Sequence, residues 1–266
     1  MTVPIYKGED NLTMSEFTVV TLDQRPDLID AADTLASQSG AWPEFMLHDP
    51  IADEHFWRLY DTFPAYQVVL LDEEGEIAAL GNTIPVTWDG LGDSLPNEGW
   101  DAIMQIGVKN HRRKIKPNCA SAIQAVVALK YRRQGVSQAL IKAMRSAVRQ
   151  QGLSRLIAPV RPNHKHLYPL TSMERYIEWQ RADGTLFDPW LRTHARLGAK
   201  IMKVCPRSMT ISAPLAKWEG WTGLRLPESG VYIIPGALVP LGVDRERNVA
   251  TYVEPNVWML HEIGEA

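Results

Sequence analysis

Gln124–Gln151, QAVVALKYRRQGVSQALIKAMRSAVRQQ, falls into three parts whose order decides the fold. Ala125–Leu129 is an apolar run, and Lys130-Tyr131-Arg132-Arg133-Gln134-Gly135 is a short basic loop. Beyond the loop Leu140, Met144, Ala147 and Val148 recur at helical spacing, with Lys142, Arg145 and Arg149 on the other side. Gly152 is a fitting stop for that helix. A strand, a glycine loop and a helix in this order make a cradle for phosphate. The free N–H groups of the loop and the positive end of the helix dipole converge on one spot. Gly135 has no Cβ to hold a ligand off the backbone, and Arg132 and Arg133 can add charge-assisted contacts to a diphosphate.

Downstream, Arg155–Val160 reads as a short, fully apolar strand, and Arg161–Pro169 as a proline-stiffened polar segment containing Asn163, His164, Lys165 and Tyr168. Ser172–Arg181 and Trp190–Leu197 have helical character, the second opened by Pro189 and closed by Gly198. Ile201–Val204 and Ser208–Ser212 read as two strands. Upstream, Tyr66–Leu71 and Glu76–Asn82 form a hairpin about the turn Asp72–Gly75. Glu16–Leu22 is a first strand after a tail over residues 1–15, and Asp27–Ser37 and Ala52–Asp61 are helices. Trp42, Phe45, Trp57 and Tyr60 are aromatic candidates for the core. Thr83–Pro117 is an insertion, helical over Asp101–Asn110, ending in the run Lys109–Lys116 with five Lys or Arg and His111. Such a run is a solvated face, or it screens the negative charge of a ligand.

Two motifs resemble the GCN5-related N-acetyltransferase (GNAT) superfamily. Arg132-x-x-Gly135-x-Ser137 is similar to that family's R/Q-x-x-G-x-G/A signature, with Ser137 in place of the last Gly or Ala. Leu191–Ala199 is similar to the family's helix–turn, in which a tyrosine four residues before a glycine protonates the leaving CoA thiolate; here that position is His194, and Ala199 replaces the usual aromatic. The likeness spans residues 16–212, an acyl-CoA-binding domain with the insertion at 83–117. It implies an α/β (α+β) fold with a mixed, mostly antiparallel sheet flanked by helices, splayed between Ser121–Leu129 and Arg155–Val160. It also implies acetyl-CoA, or another acyl-CoA, as cosubstrate. Its diphosphate would sit on Arg132, Arg133, Gln134, Gly135, Val136 and Ser137, and its pantetheine along Val126, Val127 and Ala128. His194, with Tyr168 as a neighbouring substitute, would be the catalytic acid. Glu44, Glu54 and His164 are candidate bases, with a water chain as the equal alternative in this family.

Three functions follow from the resemblance. The first is a CoA-dependent acyltransferase, an N-acetyltransferase acting on a small-molecule or peptide amine. The second is a GNAT-like malonyl-CoA decarboxylase, since a histidine at the tyrosine position also occurs there; Arg161, Lys165 and Arg192 could then hold the carboxylate. The third is a CoA-binding module without chemistry. Residues 213–266, with Trp218, Trp221 and Trp258, read as an ordered C-terminal extension that covers the acceptor site or makes a dimer contact, because tryptophans need burial. Val231–Ile234 and Ala237–Val243 are its expected strands.

The chain as a whole sets limits. Its 266 residues are 45% hydrophobic, enough for a sizeable core, and the net charge of −3 disfavours nucleic-acid binding. Cys119 and Cys205 have no metal-type spacing, so no metal is expected. No basic start leads into an apolar core, and no apolar run approaches the roughly 20 residues of a membrane span, so a cytoplasmic protein is expected.

Overall fold

The structure, a computed structural model, describes residues 17–264; the expected tail over residues 1–15, and Glu16, lie outside them. The elements run β1 (Thr18–Thr21), α1 (Ile29–Gln38), α2 (Pro50–His55), α3 (Arg58–Asp61), β2 (Gln67–Leu71) and β3 (Ile77–Val86). Then come α4 (Gly99–Arg112), β4 (Cys119–Val127), α5 (Val136–Gln150), β5 (Arg155–Val160), α6 (Met173–Ile177) and α7 (Pro189–Arg196). The chain closes with β6 (Lys200–Pro214), α8 (Leu215–Thr222), β7 (Gly230–Tyr232), β8 (Leu241–Asp244) and β9 (Val249–Glu262).

Strand alternation dictates the layers. In β2, Val68 and Leu70 pack with the apolar face of α5, while Val69 and Leu71 belong to the core shared with α1 and α4. A sheet apolar on both faces needs helices on both. The face of α5 that meets the sheet is Val136, Ala139, Leu140, Ala143, Met144, Ala147 and Val148. It lies close to β3: a Cβ added at Gly81 would fall 2.6 Å from the Met144 side chain. Burying such faces, at about 25 cal/mol per Å² of apolar surface, is the main force holding helix to sheet.

The sheet order is β1-β2-β3-β4-β5-β9-β8-β7, with β6 also paired to β9. β4 and β5 are parallel and every other pairing is antiparallel. The ladder between β4 and β5 is only Ala120–Leu156 and Ser121–Ile157, after which they part. At that point Asn82 pairs with Gln124 and Thr83 with Ala122, so Ile123 is an extra residue. A bulge bends its strand and breaks the ladder, which opens β4 away from β5. The expected mixed, splayed sheet is therefore present.

Several boundaries move. β3 does not end at Asn82 but continues to Val86, so the insertion is shorter than Thr83–Pro117, and α4 within it buries Trp100, Ile103, Met104 and Val108 in the core. The strands expected at Ile201–Val204 and Ser208–Ser212 are one strand, β6, carried through two register shifts. The helix expected over Ser172–Arg181 is only Met173–Ile177.

The larger correction concerns residues 213–266. The boundary at 212 falls inside β6, and Val249–Glu262, which carried no strand expectation, is a central strand of the sheet. β6 lines one edge of β9 from Pro214 to Lys200. Along the other edge β5 pairs with Val257–Glu262 and β8 with Val249–Thr251. Between those two partners lie Glu254, Pro255 and Asn256. Proline and two polar residues in mid-segment hid the strand, yet Glu254 and Asn256 are buried.

Candidate active site

The gap between β4 and β5 opens into a cleft of about 660 Å³ running from the start of α5 to a wall built by α1 and α2. At one end lies the basic loop. Gly135 takes φ of 77°, a left-handed conformation that suits glycine, and Arg133 also has positive φ. The first bonds within α5 are those of Gln138 and Ala139 to the Gly135 carbonyl. The N–H groups of Val136 and Ser137 belong to the unsatisfied first turn, at the positive end of a fifteen-residue helix.

Of the residues expected to hold the cofactor, Val126, Val127, Arg132, Arg133, Gly135, Val136 and Ser137 line the cleft. Ala128 donates its N–H to Ala78 of β3, and Gln134 turns its side chain back to the Lys130 carbonyl. Arg132 has another duty besides charge. Its Nε donates to the Val127 carbonyl (3.0 Å) and its Nη2 to the Ser39 carbonyl (2.9 Å), tying the end of β4 to the end of α1. The basic run Lys109–Lys116 precedes β4, at the strand end remote from the loop. Eight steps of strand at about 3.3 Å put the two roughly 26 Å apart, and the run is exposed except at Asn110, which is buried and donates to the Thr87 hydroxyl.

At the middle of the cleft stands His194, in the last turn of α7, its carbonyl accepting from Leu197 and Ala199 as the chain leaves the helix at Gly198. Asp188 fixes α7: buried, it accepts from the N–H groups of Trp190 and Leu191 and from Asn163, His164 and the Tyr176 hydroxyl. One carboxylate thus joins the helix carrying His194 to the loop after β5. The Trp190 ring meets His194 edge-on at 4.6 Å. His194 Nδ1 lies 2.9 Å from Nε2 of His261 on β9, and both rings line the cleft. Burial pushes both imidazoles well below their ordinary pKa, helped for His194 by His261 and for His261 by Arg145. Burial thus favours the neutral form of both rings.

Tyr168 does not reach the cleft. Its ring packs among Tyr176, Trp179 and Phe187. Glu44 pairs with His48, Glu54 lies beside His55, and both carboxylates and His164 are exposed away from the cleft lining. Lys165 is fully buried, donating to the carbonyls of Tyr168 and Leu238, and its ammonium is pushed down to about 8 by loss of water. Arg192 donates to the carbonyls of Leu186 and Phe187. Arg161 does line the cleft, but its Nε is held by both oxygens of the buried Glu254, at 3.1 and 3.0 Å, and its Nη2 by the Gly236 carbonyl.

The far wall holds Trp42, Met46, Asp53, Phe56, Trp100 and Gln124. Trp100 Nε1 donates to the carbonyl of the bulged Ile123, locking the splay. Behind this wall Asp49 caps α2 through Ile51 and Ala52, while Asp101 accepts from the Thr210 N–H. Burial, with the Asp49 charge, pushes the Asp101 carboxyl far above the carboxylate range and so favours its protonated form. Trp57 is half exposed, while Phe45 and Tyr60 are core residues. Sequence reasoning missed His261, Glu254 and Asn256, because each lies on the strand it did not recognise.

A splayed parallel pair, a glycine loop opening a helix and a buried pair of histidines thus face one cleft. Residues 32–173 match the Acetyltransferase (GNAT) family model. The arginine N-acetyltransferase avaD of Aspergillus versicolor is 36% identical over 275 residues, covering 93% of this chain and 94% of that protein. The loading GNATL domain of CurA from Lyngbya majuscula shares the fold at TM-score 0.59 and 19% identity, with 93% and 98% of the two chains covered. So does a GphF GNAT-like decarboxylase in complex with isobutyryl-CoA, at TM-score 0.58 and 15% identity, with 93% and 100% covered. The chain belongs to the GNAT family, and it is an N-acetyltransferase.

Proposed function

We propose that the protein moves the acetyl group of acetyl-CoA to a nitrogen of a small cationic acceptor, of which arginine, the acceptor named for avaD, is the first choice. The observation that carries this reading is the polarity of the cleft. Its phosphate end has Arg132 and Arg133 beside the α5 N-terminus, and its wall has the exposed carboxylates of Asp33 and Asp53 among the aromatics Trp42, Phe56 and Trp100. Anion recognition at one end and cation recognition at the other suit a CoA diphosphate and a basic amine or guanidine. Arg161, which lines the cleft, is matched by Glu254 and leaves no net positive charge of its own for a malonyl carboxylate.

His194 serves as the proton carrier. Neutral at rest, it takes the proton that the attacking nitrogen, entering as its free base after giving its ammonium proton to solvent, sheds as the N–C bond forms. It then gives that proton to the sulfur as the C–S bond breaks. A low imidazole pKa makes the transient imidazolium a good acid for this second step. Beyond Ser121 β4 keeps its ladder with β3 but not with β5, so its N–H groups on the β5 side are available to the developing oxyanion.

The test is to incubate the protein with acetyl-CoA and arginine, then with a panel of other cationic and neutral amines. Thiol release is followed together with product mass. Acetylated arginine or another cationic product is expected. Preference for neutral or acidic amines, or loss of CO2 from malonyl-CoA without acetyl transfer, overturns the reading.

A further inference from the structure

The His194–His261 contact holds together two residues 67 positions apart, on different elements and both facing the cleft. A hydrogen bond between two neutral imidazoles has one proton in it, contributed by one ring and accepted by the other. The contact occupies Nδ1 of His194, so Nε2 is the only nitrogen of that ring left for a substrate. A ring that first accepts a proton must present a lone pair at Nε2. It must then carry its own hydrogen on Nδ1, which is where His261 Nε2 stands ready as acceptor.

We infer that His261 is a positioning residue: by accepting the Nδ1 proton of His194 it fixes that ring's tautomer and aim, so that Nε2 meets the acceptor nitrogen and then the CoA sulfur as a base. The inference rests on the proton-carrier role of His194 proposed above. The surroundings support it. The Trp190 ring clamps His194 from the side, and Arg145 of α5, which donates to the Leu197 carbonyl, secures the end of α7 that carries it. His261 is fixed in turn by its strand, where it pairs with Leu156 of β5. His261 is 1% exposed, and its Nδ1, which carries the ring hydrogen when Nε2 accepts, has no hydrogen-bond partner among the described residues. When His194 holds the transferred proton, the neutral His261 ring accepts from the imidazolium, in the orienting place that a carboxylate takes in a hydrolase triad. No net proton is gained: one leaves the acceptor nitrogen and one arrives on sulfur.

The test uses the full chain with labelled histidine and reads the tautomer directly by two-bond 1H–15N correlation spectra in the presence of CoA. His194 is expected to show a protonated Nδ1 and a bare Nε2. His261→Leu should convert His194 to the Nε2–H form or to a mixture. With acetyl-CoA and arginine it should lower kcat about 10²-fold, the scale of a misaligned reacting group, with KM for acetyl-CoA unchanged. His261→Gln, which can place an amide oxygen near the Nε2 position, should recover most of the loss. If His194 carries its proton on Nε2 in the unaltered protein, or keeps its tautomer in both variants, the positioning role is overturned. A His194→Ala protein that turns over normally overturns the proton-carrier reading itself. Loss in His194→Ala with none in His261→Leu sinks only the present inference. Should His261→Leu fail to fold, the spectra of the unaltered protein and of His261→Gln still decide.

Discussion

Arg132–Ser137 and the His194–His261 pair face the same cleft, but the first is six consecutive residues and the second is joined across 67. The loop works through its backbone: a left-handed glycine and the open N–H groups of a helix start, which any short segment of suitable sequence can supply. The pair works through two side chains that exist as a unit only because β9 enters the sheet beside β5 and α7 packs against that edge. Local chemistry is written in order along the chain. Assembled chemistry depends on which strands become neighbours.

Breaking the assembled half should have the largest effect. His194→Ala is expected to lower kcat by roughly 10²–10⁴ with little change in CoA affinity by calorimetry. A loss of less than threefold would mean that the ring only packs.

The pair should also mark the stability curve. Both histidines have folded pKa values pushed below the unfolded value of about 6.5, so their stabilisation is present above that pH and is lost as pH falls. The limiting slope is about 1.4 kcal/mol per histidine per pH unit. Asp101, with its raised pKa, acts in the opposite sense, its stabilisation fading as pH rises from the acid side. Comparing thermal midpoints at pH 7.5 and 5.5 in the unaltered protein and in the double variant His194→Gln, His261→Gln isolates the histidine part. The double variant should lose less on acidification, and equal losses would show that the rings titrate normally.

The local half breaks at Gly135. Gly135→Val puts a β-branched side chain at φ of 77°, a strain of about 1–2 kcal/mol, and a Cβ where the diphosphate must approach. CoA affinity is expected to fall roughly 10- to 100-fold by calorimetry, with the fold intact by circular dichroism. Unchanged affinity would move the diphosphate elsewhere. The smallest effect should come from the basic run: neutralising Lys109, Arg112 and Arg113 together is expected to change KM for acetyl-CoA less than about twofold at physiological salt, because screening removes most interaction beyond about 8 Å. A larger rise in KM would bring the run back into cofactor binding.

The chain itself determined the loop, the helix after it, Arg155–Val160 as a strand and the histidine four residues before Gly198, because hydrophobic periodicity and turn chemistry are properties of consecutive residues. It also determined that no described helix is long and apolar enough to cross a membrane. Tertiary structure alone decided the rest. Glu254, Pro255 and Asn256 argue locally against a strand, yet β6 on one edge and β5 and β8 on the other hold them in one. That strand brings His261 to His194 and Glu254 to Arg161. It takes away the unperturbed pKa that an exposed His194 would have had, because burial, which no short stretch of sequence encodes, sets the cost of charge.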